Sequence, residues 1–178
     1  YFYQLNDKIE FDTIFSDLLK RRFLDLRKTD AAGFRDFCAG TDAIFCKPAG
    51  LCGGEGIRRI VTAEIDDYTA LYDQLVQGGQ LLIEEPIRQH PVMSRLCPDS
   101  VNTVRIVTLV TDKGAEMVYA LVRMGMGGVC VDNVSSGGMY APVNEHGQLY
   151  RPAFCDKTGK YYERHPVTGT DIVGFQIP

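Results

Sequence analysis

The run Phe45-Cys46-Lys47-Pro48-Ala49-Gly50-Leu51-Cys52-Gly53-Gly54-Glu55-Gly56-Ile57 constrains this chain more than any other stretch. An apolar, strand-like segment from Ala43 to Cys46 closes on a lysine. A loop carrying Gly50, Gly53, Gly54 and Gly56 follows, and Ile57 to Ala63 returns as a second strand. Glycines let backbone amides approach a polyphosphate closely, and a lysine ammonium neutralises part of its charge. A P-loop places its lysine after the glycines and opens a helix; here the lysine comes first and a strand follows. G-x-G-x-x-G is also absent. Taken alone, the stretch also reads as a flexible glycine-rich hairpin with an exposed lysine.

The surroundings predict an α+β fold. Apolar residues at Phe11, Ile14, Phe15, Leu18, Leu19, Phe23 and Leu26 recur at helical spacing across residues 7 to 28, with Asp7 or Asn6 as cap. A short helix is expected over Ala31 to Cys38. Another follows Asp66 or Asp67, with Tyr68, Leu71, Tyr72, Leu75 and Val76 on one face and Gly78-Gly79 as stop. Leu81 to Ile83, Val101 to Val110, Glu116 to Arg123, Val129 to Val131 and Met139 to Val143 read as strands. The tail from Gln148 is turn-rich and weakly patterned. Helices come first and strands with few crossovers follow, so the sheets are expected to be largely antiparallel.

Three more constellations carry chemistry. Leu82-Ile83-Glu84-Glu85-Pro86-Ile87 ends a buried strand in carboxylates and a proline, leaving backbone groups that an adenine edge can pair with; a solvated strand end is the alternative. Arg105 and Arg123 sit on neighbouring apolar strands. Such cations are costly unless they face an anionic ligand or pair with Glu84, Glu85 or Asp132. Asp132-Asn133-Val134-Ser135-Ser136-Gly137-Gly138 offers oxygen ligands to Mg²⁺ or contacts to phosphate, or forms a plain Asx turn.

Composition narrows the classes. A net charge of -4 argues against a nucleic-acid-coating surface, and Lys20-Arg21-Arg22 reads as a solvated helix face. No apolar run approaches the ~20 residues of a membrane span, and no signal peptide is visible. Cys38, Cys46, Cys52, Cys97, Cys130 and Cys155 are scattered without C-x-x-C pairing, as buried reduced thiols of a cytoplasmic protein would be.

Together and in this order, these elements resemble the ATP-grasp superfamily, most closely its sugar-transfer-associated branch, related to the α-L-glutamate ligases. The resemblance runs from Asn6-Asp7-Lys8 through Lys47-Pro48, Glu84 to Ile87, Asn102-Thr103-Val104-Arg105, Arg123 and Asp132-Asn133 to Gly137-Gly138. It implies an N-terminal subdomain over residues 1–86 and part of a C-terminal one over 87–178. Lys8 and Lys47 would contact phosphates under a lid of Gly50 to Gly56, which includes Gly53 and Gly54. Glu84 would bind the adenine amine, with the backbone of Glu85 and Ile87 on the ring edge and His90 near the ribose. Arg105, Arg123 and Asn133 would face the γ-phosphate and the acceptor, and Asp132 is the candidate Mg²⁺ ligand. The implied activity is ATP-dependent ligation of a small-molecule carboxylate to a nucleophile through an acyl phosphate, beside sugar-transfer enzymes of a polysaccharide pathway. A non-catalytic nucleotide-binding module is the alternative.

One departure stands out. The E-x-N metal motif of the superfamily does not occur. The chain opens on Tyr1-Phe2-Tyr3 and is read as a fragment that stops before the metal-binding strands.

Overall fold

The computed structural model describes residues 5–50, 55–128 and 132–178. The chain forms two compact units, Tyr1–Ile87 and Arg88–Pro178.

The first unit is built on α1 (Lys8–Ile14), β1 (Phe23–Asp25), α2 (Ala31–Cys38), β2 (Ala43–Lys47), β3 (Arg58–Val61), α3 (Tyr68–Gln77) and β4 (Leu82–Glu84). Its strands lie in the order β1-β4-β2-β3, every pair antiparallel. Alternation along the strands sorts the two faces. Ile44, Cys46 and Ile83 join Phe34, Phe37, Cys38 and Leu75 from α2 and α3 in one core. Phe45, Lys47, Leu82 and Glu84 therefore point to the opposite face, where Phe45 pairs with Glu84 and Lys47 with Leu82. Each helix begins on an aspartate whose carboxylate accepts from the first free amides: Asp7 for α1, Asp30 for α2 and Asp67 for α3. Gly79, at φ +71°, ends α3.

The long helix expected over residues 7 to 28 is corrected: only Lys8–Ile14 is α-helical, and Phe23–Asp25 is a strand. Its supposed apolar stripe faces outward at Phe11, Ile14 and Leu18, while Ile9 and Asp12 are the buried residues of α1. Pairing Phe23 and Leu24 with Glu84 and Ile83 outweighs the helical spacing. The expected strand Val129–Val131 lies outside the described residues, as do Cys52 and Cys130.

The second unit contains α4 (Pro91–Ser94), β5 (Thr103–Thr111), β6 (Gly114–Met124), β7 (Met139–Val143), β8 (Ala153–Cys155) and β9 (Lys160–Tyr162). The five strands form an antiparallel meander in chain order. Val122, Met124, Met139, Ala141, Ala153 and Cys155 line one face of it, and Met93, Leu96, Leu149, Ile172 and Phe175 close the core over them. The Asn102 amide ties the segment before β5 together, donating to the carbonyls of Met93 (2.8 Å) and Cys97 (2.9 Å). The tail, weakly patterned in sequence, supplies β8 and β9. The tip of the β5–β6 hairpin extends past the core, leaving Ile106, Leu109, Val110, Met117 and Val118 exposed.

Candidate functional site

Two polar clusters form, one in each unit. In the first, β2 delivers Lys47 and β4 delivers Glu84 to the same face as diagonal neighbours. Lys47 Nζ pairs with Glu84 Oε2, and Arg21 Nη2 pairs with Glu84 Oε1. Asp12 comes from α1, one helical turn after Ile9, and lies against Glu84 with its Oδ2 4.0 Å from Arg21. That oxygen is buried without a hydrogen-bond partner among the described residues. Two carboxyl groups nearly shut off from water, Glu84 at 2% and Asp12 at 4% exposed, thus face two cations that keep about a fifth of their side chains exposed.

The environment separates the two acids. Burial pushes Glu84 upward, but Lys47 and Arg21 outweigh it and hold the carboxylate below its ordinary value. Burial also raises Asp12, and the adjoining Glu84 adds to it, so the group reaches about 6 despite Arg21 and Lys47. Glu84 is therefore the fixed anion of the cluster and Asp12 its proton-exchanging member.

Lys8 reaches the same neighbourhood. Its backbone N–H donates to the Ala49 carbonyl (2.9 Å) and its Nζ lies 3.4 Å from that oxygen. Both lysines expected to contact phosphate thus stand at the root of the glycine loop. Gly56 has φ +72° and its carbonyl accepts from Gln80 Nε2 at 2.6 Å. Gly53 and Gly54 lie outside the described residues. Glu85 pairs with Arg22, and its backbone N–H donates to the Arg22 carbonyl at 3.1 Å. Ile87 is half exposed. His90 caps α4, its Nδ1 accepting from the Val92 N–H, and sits in the second unit.

The basic run Lys20-Arg21-Arg22 is corrected from a solvated helix face, since Arg21 and Arg22 bind the two glutamates that end and follow β4. Sequence reasoning missed Arg21 and Asp12. The one available signal was charge balance, because a strand-end glutamate buried beside a single lysine calls for a second cation.

In the second unit, Thr103 and Arg123 are directly opposed on β5 and β6. Both reach Asp132: Arg123 donates to Oδ1 at 2.6 Å and to Oδ2 at 3.3 Å, and Thr103 Oγ1 donates to Oδ2. Arg123 thereby takes the pairing that the sequence had left open between ligand and neighbour. Arg105, two residues along β5, is exposed and makes no ion pair among the described residues. Asn133 Nδ2 donates to Ser135 Oγ (2.8 Å), and its carbonyl accepts from Gly138 N–H (3.0 Å). A Cβ at Gly138 would stand 2.5 Å from the Asp132 carbonyl oxygen, so this glycine serves close approach of the loop to itself.

Mg²⁺, expected beside ATP, finds no fitting site among the described residues. Both Asp132 oxygens are engaged by Arg123 and Thr103, and no group of three His, Cys, Asp or Glu side chains gathers among the described residues. Cys38, Cys46, Cys97 and Cys155 are free and buried, and burial pushes the thiols of Cys38 and Cys46 up to about 11 and about 12. No helix among the described residues is long and apolar enough to cross a membrane.

The sequence profile of the family described as sugar-transfer associated ATP-grasp matches residues 67–178, from α3 through Glu84 to the last residue. Asp12, Arg21 and Lys47 precede the matched stretch. No curated protein matches the chain. Two antiparallel sheets with few helices fit an ATP-grasp architecture, and the match covers well over half the chain, including all of its second unit. The chain belongs to the sugar-transfer associated ATP-grasp family.

Proposed function

We propose that this chain binds ATP at the root of its glycine loop and serves an ATP-dependent, ligase-like transfer to a small-molecule carboxylate. The observation that carries the reading is the buried Lys47–Glu84 pair, which joins the lysine before the glycines to the carboxylate at the end of β4. Lys47 is a fifth exposed at its side chain, so a polyphosphate can draw the ammonium outward while Arg21 keeps Glu84 neutralised. Lys8 adds a second positive charge at the same loop root. Glu84, Glu85 and Ile87 are assigned to the adenine, and Arg105, Arg123 and Asn133 to the transferred phosphoryl group and acceptor. In such a transfer the protein's share is positioning and charge neutralisation. The γ-phosphate passes to the carboxylate, and a nucleophile displaces phosphate from the acyl phosphate. The buried free thiols support a reducing, cytoplasmic setting, and the family description supports partners in sugar transfer.

Isothermal titration with ATP tests the binding step. Lys47→Ala should weaken binding at least tenfold, and unchanged affinity would remove the loop from the site.

A second reading, a nucleotide-binding module without turnover, is favoured by the engagement of Asp132 and Arg123 with each other. Hydroxylamine trapping separates the two. ATP-dependent hydroxamate formation from a panel of small carboxylates supports the ligase, and ATP binding with no hydroxamate supports the module.

A further inference from the structure

The proposed site leaves one buried group without a task. Asp12 Oδ2 has no hydrogen-bond partner among the described residues, although Asp12 is only 4% exposed. A buried carboxylate oxygen in that state is costly, so its presence calls for a use. The charged groups facing it come from three elements: Glu84 from β4, Lys47 from β2 and Arg21 from the segment before β1. Lys8, one turn earlier on α1, has its Nζ 3.4 Å from the Ala49 carbonyl. Lys47 and Arg21 divide Glu84 between them, one on each oxygen, and Asp12 is left with a 4.0 Å approach to Arg21.

The balance of charge changes when nucleotide arrives. With both acids ionised, the free cluster holds two negative and two positive charges. A polyphosphate that draws Lys47 outward leaves Glu84 and Asp12 facing Arg21 alone, an excess of one negative charge. Such an excess is costly where both carboxyl groups are shut off from water. We infer that Asp12 is the positioning residue that lets Lys47 exchange Glu84 for the polyphosphate, by taking up one proton as nucleotide binds. The inference rests on the nucleotide reading and adds a proton to it. The proton comes from solvent and forms an O–H bond on Asp12. That hydroxyl donates to Glu84, replacing the hydrogen bond that Lys47 gives up, while Arg21 stays in place. The direction agrees with the free state, in which Lys47 and Arg21 are the two charges that hold Asp12 down against burial and Glu84. Drawing Lys47 away removes one of the two. Glu84 is unsuited to the same duty, because Arg21 remains bound to it and keeps it ionised.

The test is calorimetric titration of the chain with ATP in two buffers of different ionisation enthalpy at one pH, since the difference in heat counts the protons exchanged. Asp12, at about 6, is about nine-tenths ionised at pH 7 and mostly protonated at pH 5. Wild type should take up at least about half a proton more per ATP than Asp12→Asn at pH 7, and the difference should vanish at pH 5. Protons exchanged by ATP itself are common to both and cancel. By the same linkage Asp12→Asn, which keeps the neutral form, should bind ATP about five- to tenfold more tightly than wild type at pH 7 and equally at pH 5. A second measurement needs no nucleotide: in Lys47→Ala the Asp12 carboxyl resonance should titrate above about 6. ATP bound with equal proton uptake by wild type and Asp12→Asn overturns the inference and leaves the nucleotide reading standing. An unmoved Asp12 midpoint in Lys47→Ala also overturns it. A wild-type chain that binds no ATP overturns both.

Discussion

Glu84→Gln removes the central anion of the first unit's polar cluster while keeping its shape. In the native protein Glu84 neutralises both Lys47 and Arg21 from a position 2% exposed. Deleting one partner of a fully buried ion pair costs about 3–5 kcal/mol, because the remaining charge stays desolvated. Here the two cations keep 21% and 19% of their side-chain surface in water, and Asp12 stands 4.0 Å from Arg21 as a substitute counterion. Both features reduce the cost, to about 2–3 kcal/mol by the same reasoning. The assay is amide hydrogen exchange at Ile44 and Ile83, the core residues of β2 and β4, which reports on this unit by itself. Exchange limited by opening of the unit should quicken roughly thirty- to a hundred-and-forty-fold, at about 1.4 kcal/mol per decade. The Asp12 carboxyl resonance should also titrate below about 6, since the anion beside it has gone while Arg21 and Lys47 remain. Exchange accelerated less than about threefold, or an unmoved Asp12 midpoint, would show that the cluster is not electrostatically coupled as drawn.

Asp12→Asn tests the proton-exchanging member. Its folded value of about 6 exceeds the ordinary 3.8, so the folded state binds this proton more tightly than the unfolded chain. The sign follows: stability held below pH 4 is lost as pH rises to about 6, by ~2–3 kcal/mol, and is flat beyond. Glu84 acts in the opposite sense, contributing above its ordinary 4.5 and losing that contribution as pH falls through its depressed value, so it does not mask the window from pH 4.5 to 6. The asparagine variant should lack the slope and be the more stable protein at pH 7, as chemical denaturation at several pH values would measure. Gly138→Ala forces a methyl group against the backbone of Asp132 and Asn133, where nothing flexible can yield. It should cost about 1–3 kcal/mol in the second unit by thermal or urea denaturation, whereas Gly50→Ala, with open space at its Cβ, should be near neutral.

Much of the second unit was legible because its strands announce themselves. Thr103–Thr111 and Gly114–Met124 are β-branched and apolar, with Asp112-Lys113 as an obvious turn, and Met139–Val143 stands out between polar loops. Lys47 and Glu84 were legible as groups needing a partner, because each ends an apolar segment with a charge, and the fold joins them in one ion pair. What failed was local. Residues 7 to 28 have helical spacing, yet β1 gains more by pairing Leu24 with Ile83 at the edge of a sheet. That choice depends on a strand sixty residues away, which no window of periodicity contains. Arg21 was hidden by its company, since one arginine in a basic triplet looks like its neighbours until the fold buries Glu84 against it. The alignment of Arg123, Tyr140, Phe154 and Tyr161 across β6 to β9 was invisible for a similar reason: β8 and β9 are three residues each, and only their register brings these side chains into line.

The hairpin arm that outruns the core has a consequence for the handling of this protein. β5 is the terminal strand of its sheet, nine residues of Thr103–Thr111 without proline or glycine, and Arg105 is its single charge. An exposed, largely apolar edge of that length is a template for strand addition by another molecule, and the register shift between Val107 and Thr108 together with the one charge acts against it. Arg105→Ala should therefore promote association in concentrated solution, which light scattering would measure. Arg105→Lys preserves that duty where Arg105→Ala would abolish it, so the lysine variant is the one that isolates the guanidinium's part in recognition.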